Sequence, residues 1–394
     1  MKIHIKNGRL LSHAIDTISD IFIVDKTIVA HEHAPDNFVA DQTIDATNQW
    51  IIPGLIDIGL QLSLSSDITA MAQLARQAGI SALCCWPDII SSNTKLPTRI
   101  FPVGALTQDF KGQQLSAMST LKEAGCVALS NGRSPIVDTT ILRHAFDYAA
   151  TFDLPIIYYP NDPYLSQGCV HEGQASLRLG LPGIPATAET IDLARVLLLQ
   201  QETGVRLHIA RLSTARGVEM MAQAKTMSAK LSCDVAIHHL FLTEQDVLDF
   251  TAACYVQPPL RSLSDQKALI EGVRTGVIDI ICSDHQDISL TDKCAPFAQT
   301  KPGIYGLPTL LPLILELASH HKITLTRLMD AVCYRPAQLI HQQPPLGTLG
   351  GTLAVNSCAD LNIIDPQAPW DIPVDPGLNP FSAWPLLGKI NTRL

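Results

Sequence analysis

Apolar and polar residues alternate with a period of two over the first 50 residues, in short bursts such as KIHIKNGRLL and DIFIVDKTIVA. This alternation, broken by Asn-Gly and Asp-Lys pairs, predicts a small antiparallel sheet. The C-terminal part of the chain has a similar pattern, in GTLAVNSCADLNIIDP, followed by a proline-rich tail. We therefore predict one composite β domain built from residues 1–50 and 350–394.

Between these two ends the pattern changes to near-continuous apolar strands separated by helical runs such as TTILRHAFDYAA and SDQKALIEGVR. Eight candidate strands lie at 51–59, 80–86, 99–106, 126–130, 154–159, 205–211, 231–237 and 277–284. Buried strands that alternate with helices are typical of a parallel sheet covered on both faces. Eight repeats of this kind predict a closed (β/α)₈ barrel of the TIM type over residues 51–349.

Composition narrows the classes of function. The 394 residues are 46% hydrophobic and 16% charged, which is typical of a well-packed globular protein. A formal net charge of −9 argues against a nucleic-acid partner, because such proteins carry basic patches. The chain has no G-x-G-x-x-G and no phosphate loop, and its longest apolar run, at 307–317, is too short to span a bilayer. We expect neither a nucleic-acid nor a membrane partner.

The ten cysteines form no C-x-x-C pair, and several lie in apolar runs such as SALCCW. Buried thiols in a reducing compartment explain this pattern better than a disulfide framework. The N-terminal MKIHIKNGRLLSH lacks the apolar region of a signal peptide. These features predict a cytoplasmic protein.

Chemistry in such a barrel belongs at the C-terminal ends of the strands. A hydrolytic metal centre there needs at least three His, Cys, Asp or Glu ligands around an open position. The strand ends offer only His239, Asp284 and His285, with His238 as a further candidate. Arg211 ends another strand, and it cannot bind a metal because its guanidinium is always protonated.

Nine runs of residues resemble, in their order and spacing, the dihydroorotase family of the amidohydrolase superfamily. They are PGLID (53–57), AFDYAATFDLPII (145–157), HEGQASLRLGLPGIPATAET (171–190), LSTARG (212–217), DVAIHHLFLTEQD (234–246), VQPPLRSLSDQKALIEGV (256–273), IICSDH (280–285), ADLNIIDP (359–366) and NPF (379–381). No single run is decisive, but together they cover nearly the whole chain.

The resemblance implies that the zinc ligands of active members are missing here. Active members continue PGLID with one residue and then His-x-His, and those two positions hold Gly59 and Gln61. The bridging acidic or carboxylated-lysine ligand falls near Asn131-Gly132. Two further metal histidines correspond to Tyr159 and Arg211, so we expect no metal and no cofactor.

The substrate positions implied by the resemblance are altered too. Ser63 stands where active members carry the arginine that grips the substrate carboxylate, and Asp88 stands for a substrate-contacting asparagine. Gln257 is a third altered substrate position, whereas Asp284 alone matches a catalytic residue. We therefore expect no dihydroorotase activity.

Loss of the zinc ligands predicts new roles for the residues around that site. Asp284 is expected to pair with Arg211, since an unpaired buried charge is costly. His239, with its neighbour His238, is expected to be a hydrogen-bonded structural histidine rather than a ligand. The aromatic side chains Trp86, Tyr158 and Tyr159 are expected to fill the space of the lost metals and leave a smaller, drier pocket. The His31-Glu32-His33 triplet is expected to be a surface loop.

The altered positions resemble the noncatalytic dihydroorotase-like proteins that some bacteria carry beside an aspartate transcarbamoylase. This resemblance implies a homo-oligomerising subunit that holds the transcarbamoylase catalytic subunit in a larger assembly for pyrimidine synthesis. One alternative is an amidohydrolase with a rearranged mononuclear centre on His239, Asp284 and His285. Two others are a self-assembling structural homologue without a transcarbamoylase and a small-molecule sensor that uses the emptied pocket.

Overall fold

The computed structural model describes residues 1–62, 66–86, 96–340 and 350–394, with only the backbone of Trp86. Eight parallel strands, ordered as they occur along the chain, form its central sheet. They are β6 (Leu55–Gln61), β7 (Ile80–Trp86), β8 (Arg99–Ala105), β9 (Ala128–Ser130), β10 (Ile156–Tyr158), β13 (Leu207–Ile209), β14 (Leu231–Ala236) and β15 (Ile280–Cys282). The predicted (β/α)₈ barrel is confirmed.

Helices alternate with these strands along the chain. They are α1 (Ile68–Gln77), α2 (Met118–Glu123), α3 (Thr139–Thr151), α4 (Gln174–Leu179), α5 (Thr187–Thr203), α6 (Ala215–Met227), α7 (Leu263–Thr275), α8 (Leu290–Lys293), α9 (Leu310–His321), α10 (Leu325–Met329) and α11 (Arg335–Ile340). A π-helical turn at Asp330–Tyr334 joins α10 to α11. A two-stranded ribbon, β11 (Val170–His171) with β12 (Gly183–Ile184), lies between β10 and α5 along the chain.

A second sheet takes strands from both ends of the chain, as predicted. Its order is β17-β16-β5-β1-β2-β3, and β4 also pairs with β1. The strands are β1 (Lys2–Leu11), β2 (Asp16–Val24), β3 (Thr27–His31), β4 (Gln42–Asp45), β5 (Trp50–Pro53), β16 (Leu361–Pro369) and β17 (Leu387–Arg393). The exposed Glu32 and His33 follow β3, in agreement with the predicted surface loop.

Two details of this sheet were predicted wrongly. It is mixed rather than antiparallel, because β1 runs parallel to β4 and β5, and Asn7-Gly8 is a bulge within β1 instead of a turn. The strand predicted at 51–59 is two strands divided at Gly54. The amide of Gly54 donates to the carbonyl of Asp360 at 2.9 Å, which holds β5 in the composite domain while β6 enters the barrel.

The barrel interior is filled by small and branched apolar side chains, and a larger apolar layer lies between the strands and the helices. Eight of the ten cysteines are buried, as their apolar surroundings predicted. Among the described residues, no helix combines the length and apolar character needed to cross a membrane.

The barrel closes between β6 and β15 by a seam that relies on side chains. One bridge pairs Gln61 with Gln286, and the amide of Gln61 donates to the carbonyl of His285 at 3.0 Å. Deeper in the seam, the Asp57 carboxylate accepts hydrogen bonds from the amide of Ser283 at 2.8 Å and from its hydroxyl at 2.6 Å. These contacts fix the strand ends on which the functional positions lie.

The composite domain packs against the turn between α1 and β7, at Gly79. This residue has a φ of +77°, and a Cβ there would lie 2.8 Å from Ile390 Cδ1 and 3.1 Å from Asn362 Nδ2. Gly204, after α5, has a φ of +65° but open space around it.

We expect Gly204→Ala to lower the free energy of unfolding by about 1 kcal/mol, the cost of a left-handed conformation alone. Gly79→Ala should lower it by about 2–4 kcal/mol, because β16 and β17 must also move. Urea unfolding of both variants measures the difference. Equal losses would show that the contact between domains at Gly79 does not constrain the turn.

Candidate functional site

Two arginines and one aspartate meet where the strands end. Asp284 follows β15, Arg211 follows β13, and Arg133 lies in the loop after β9. Nη2 of Arg133 donates to the two carboxylate oxygens of Asp284 at 2.8 and 3.0 Å. Nε of Arg211 donates to Oδ1 of Asp284 at 3.0 Å, so the predicted pairing of Asp284 with Arg211 is confirmed.

Arg211 also binds a second carboxylate, that of Asp234 on β14. Its Nη1 lies 3.2 Å from Asp234 Oδ2, and its backbone amide donates to Oδ1 at 2.8 Å. His208 Nε2 lies 3.0 Å from the same Oδ2, and all three side chains are buried. We call Arg133, Arg211, Asp234 and Asp284 the arginine–aspartate network.

In this network each buried charge lies beside an opposite charge. Burial opposes ionisation of Asp234, but the charge of Arg211 and the hydrogen bond with His208 outweigh it and lower the pKa of the carboxyl group. Burial likewise opposes the charge of Arg211, but Asp234 and Asp284 raise the pKa of its guanidinium. Two cations therefore face two anions, which is the condition under which buried charges are tolerated.

Arg133 joins the network to other strand ends. Its Nε donates to Gln61 Oε1 at 3.0 Å, its Nη1 donates to the carbonyl of Gln257, and its guanidinium lies 5.2 Å from the ring centre of Tyr159. With its amide oriented to satisfy both neighbours, Gln286 accepts from Nη2 at 3.0 Å. The sequence analysis missed Arg133. The signal available was a cation two residues beyond Asn131, in the loop at a strand end.

Asn131 and Gly132, predicted as an emptied ligand position, shape the turn that carries Arg133. The Asn131 side chain accepts from Thr107 Oγ1 at 2.6 Å and donates to the Ser134 carbonyl at 2.8 Å, so its amide is fully occupied within the loop. Gly132 has a φ of +59°, which favours glycine at this tight turn. Both residues position the loop.

Gly59 lies where β6 and β15 approach most closely. A Cβ at this position would lie 2.9 Å from the backbone nitrogen of Asp284 and 3.0 Å from Cys282 Sγ. Contacts this short with backbone atoms cannot be relieved by rotating a side chain. The packing therefore leaves no space for a histidine at residue 59.

Of the aromatic residues predicted to fill the site, only Tyr159 is seen there. Burial raises the pKa of its phenol to about 12, so it is protonated at neutral pH and is not an anionic ligand. The prediction for Tyr158 was wrong, because its hydroxyl donates to Asp192 of α5 at 3.0 Å and its ring lies edge-on to Phe146 of α3. Strand alternation turns it to the helix side of the sheet. The side chain of Trp86 lies outside the described residues.

Three histidines lie at the C-terminal ends of the barrel strands, which we call the mouth of the barrel. All three are buried and neutral. Burial lowers the pKa of His238 and of His285 to about 3, and it holds the pKa of His239 well below its usual value. His285 Nδ1 accepts from the amide of Leu307 at 3.2 Å, and His239 Nε2 lies 3.3 Å from the carbonyl of Pro259. The prediction of hydrogen-bonded histidines holds only in part, because neither ring nitrogen of His238 has a partner among the described residues.

The remaining predicted positions divide into two groups. Ser63 and Asp88 lie outside the described residues. Gln257 contributes its backbone carbonyl to Arg133. The smaller, drier pocket stays a prediction.

The side chains at the mouth do not fit a zinc ion. Both oxygens of Asp284 accept hydrogen bonds from guanidinium groups, and a third cation beside Arg133 and Arg211 would be repelled. Within residues 1–62, 66–86, 96–340 and 350–394, no three His, Cys, Asp or Glu side chains are grouped to hold a metal. The arrangement is suited to holding strand ends together by charge.

The neutral histidines predict a pH dependence of stability. Their folded pKa values lie below the unfolded value of about 6.5, so stability is complete above that pH and is lost as the pH falls toward 3. Each of the three should remove about 1.4 kcal/mol from the free energy of unfolding by pH 5.5. Urea unfolding at pH 7.5 and 5.5 measures the loss.

His238→Leu should abolish about a third of that loss, because its ring nitrogens have no described partners to forfeit. His33→Leu, on the exposed loop after β3, is the control and should leave the pH dependence unchanged. A His238→Leu variant with the full pH dependence would show that His238 is charged in the folded state.

Comparison with known proteins shows the family to which the chain belongs. A family described as Dihydro-orotase-like matches residues 49–216. A dihydroorotase-like protein of Pseudomonas aeruginosa is 38% identical, with 93% of this chain and 90% of that protein covered. A dihydroorotase of Syntrophotalea carbinolica is 34% identical, with 99% of this chain and 96% of that protein covered.

Solved structures show the same fold. L-hydantoinase (dihydropyrimidinase) from Arthrobacter aurescens superposes with a TM-score of 0.85 at 23% identity, over 100% of this chain and 94% of that structure. D-hydantoinase superposes with a TM-score of 0.81 at 21% identity. From the barrel, the strand-end positions and its close relatives, the chain belongs to the dihydroorotase-like family of amidohydrolases.

Proposed function

We propose that this chain is a noncatalytic member of the dihydroorotase-like family that acts as a structural subunit with aspartate transcarbamoylase in pyrimidine synthesis. The observation that carries the first part is the double guanidinium contact on Asp284, the one catalytic position that matches active relatives. Both carboxylate oxygens of Asp284 are occupied by guanidinium hydrogen bonds, so neither is free to contact a substrate or a metal-bound water.

The energetics favour an inactive site. A catalytic metal lowers the pKa of bound water from about 15.7 to about 7, which at about 1.36 kcal/mol per unit amounts to roughly 12 kcal/mol of nucleophile activation. A general base alone contributes about 10²–10⁴-fold, or roughly 3–5 kcal/mol. Asp284 in its present contacts offers neither contribution.

The mononuclear alternative meets the same obstacle. Of its three ligands, Asp284 is bound by Arg133 and Arg211, and His285 accepts from the amide of Leu307 while its ring packs on Tyr305 at 4.5 Å. His285 Nε2 and His239 Nδ1 have no hydrogen-bond partner among the described residues, but binding an ion through Asp284 would require its guanidinium contacts to break.

The transcarbamoylase partner is proposed from the family resemblance. A fold that keeps its packing while its chemistry is gone is expected to act through its surface. The resemblance is to noncatalytic members that serve as subunits beside a transcarbamoylase, and the altered ligand positions Gly59, Gln61 and Arg211 support this proposal.

The first test is metal content and turnover. Protein purified without chelator should contain less than about a tenth of a metal ion per chain and should not cyclise carbamoyl aspartate or open dihydroorotate. The dihydroorotase of Syntrophotalea carbinolica, purified in the same way, is the positive control. Stoichiometric zinc with measurable turnover would contradict the proposal and favour the mononuclear amidohydrolase.

The second test concerns the partner. Mixed with the aspartate transcarbamoylase of its own genome, the chain should elute from a sizing column in one complex larger than either protein alone. The active dihydroorotase used above, in place of this chain, controls for nonspecific association. Separate elution, with this chain as a stable oligomer, would instead support the self-assembling homologue.

A further inference from the structure

We infer that the arginine–aspartate network is a structural clamp that closes the C-terminal end of the barrel, in the place where a metal site would lie. The network draws on five strand ends. Gln61 ends β6, Arg133 follows β9, Arg211 follows β13, Asp234 lies on β14, and Asp284 follows β15. No other set of contacts described at the mouth joins as many strands.

The seam between β6 and β15 is where such a clamp is needed. Most neighbouring strands in the barrel pair through ladders, and only β9 with β10 shares a single described residue pair. The seam has one backbone bridge, between Gln61 of β6 and Gln286 beyond β15, and the contact of Asp57 with Ser283 deeper in the barrel. Arg133 spans this seam by donating to Gln61 on one side and to Asp284 on the other. Side-chain charge thus supplements sparse backbone pairing.

Backbone conformation gives a second line of support. Arg211 and Asp284 have φ values of +57° and +47°. These lie in the left-handed region of backbone conformation, which residues other than glycine rarely adopt. Such conformations persist where surrounding contacts over-determine them. The two strained residues are bound to each other, and each is also held by a second member of the network.

Burial makes the clamp sensitive to the loss of any one member. Arg211 and Asp234 are at most 2% exposed, and Asp284 is 1% exposed. Removing one partner from a buried ion pair leaves an uncompensated charge, which costs far more than the loss of a surface pair. Arg133, at 16% exposure, is the member best placed for substitution without collapse of the fold.

The test is a double-mutant cycle with Arg133→Met and Asp284→Asn, measured by thermal unfolding with and without EDTA. Each single variant should lower Tm by about 5–10 °C, and the double variant should lower it by less than the sum, because the two residues share one interaction. Arg9→Met, which breaks a bidentate pair with the exposed Asp16, is the matched control and should shift Tm by about 2 °C or less. EDTA should leave the Tm of the unaltered chain unchanged.

Hydrogen exchange tests the same inference at individual amides, first in the unaltered chain and then in the Arg133→Met variant. The amides of Gln61, Arg211 and Ser283, which are bonded across strand ends at the mouth, should be among the slowest to exchange. Arg133→Met should speed their exchange while leaving the composite sheet unaffected.

Three results would overturn the clamp. They are additive shifts in the cycle, an Arg133→Met shift no larger than that of Arg9→Met, and a fall in Tm on addition of EDTA. The first two outcomes are separable from failure of the proposed function, because a metal-free, inactive chain with additive variants would refute the clamp alone. A fall in Tm with EDTA would contradict both. Loss of transcarbamoylase binding would bear on the proposed partner alone.

Discussion

The mouth of this barrel is organised by a carboxylate that two guanidinium groups share. Asp284 cannot be solvated where it lies, so its charge must be met by neighbouring cations. Arg211 meets it from the buried side and Arg133 from the more exposed side. Once these two residues are in place, the second carboxylate, Asp234, balances the remaining positive charge. The geometry of the loops after β9, β13 and β15 follows from that balance.

The neighbouring residues are consistent with a site built for packing. Gly59 allows β6 and β15 to approach, Tyr159 offers its ring to a guanidinium, and the histidines are neutral because they are buried. These features place packed and hydrogen-bonded side chains at the strand ends, which agrees with the structural role proposed for the network.

Most of the fold could be predicted from the sequence, because it depends on patterns that are local. The eight buried strands and the alternating β segments at both ends are visible as hydrophobic periodicity. The division at Gly54 could not be predicted, because the run from Ile51 to Ile58 is apolar apart from Asp57 and only tertiary pairing with Asp360 shows where one sheet ends. The parallel pairing of β1 with β4 and β5 is likewise a tertiary property.

The sequence predicted contacts between residues at the ends of strands. It did not predict contacts that depend on where several loops meet in the folded chain. The pair of Asp284 with Arg211 was predicted because both residues end barrel strands and face one cavity, where an unpaired buried charge is costly. Arg133 was missed because it lies one residue beyond Gly132, in a loop whose direction only the folded chain reveals. Tyr158 was misplaced because one residue of strand register decides which face of the sheet a side chain takes.

The close approach at Gly59 bears on how the proposed loss of chemistry would persist. A histidine introduced there by mutation would meet the backbone of Asp284 before it could meet a metal, and it would create a packing defect. The guanidinium groups of Arg133 and Arg211 would have to leave Asp284 as well, and each single change would leave a buried charge unpaired. Under the proposed function, these contacts oppose a stepwise return of metal ligands, because no single substitution restores a ligand without a cost in stability.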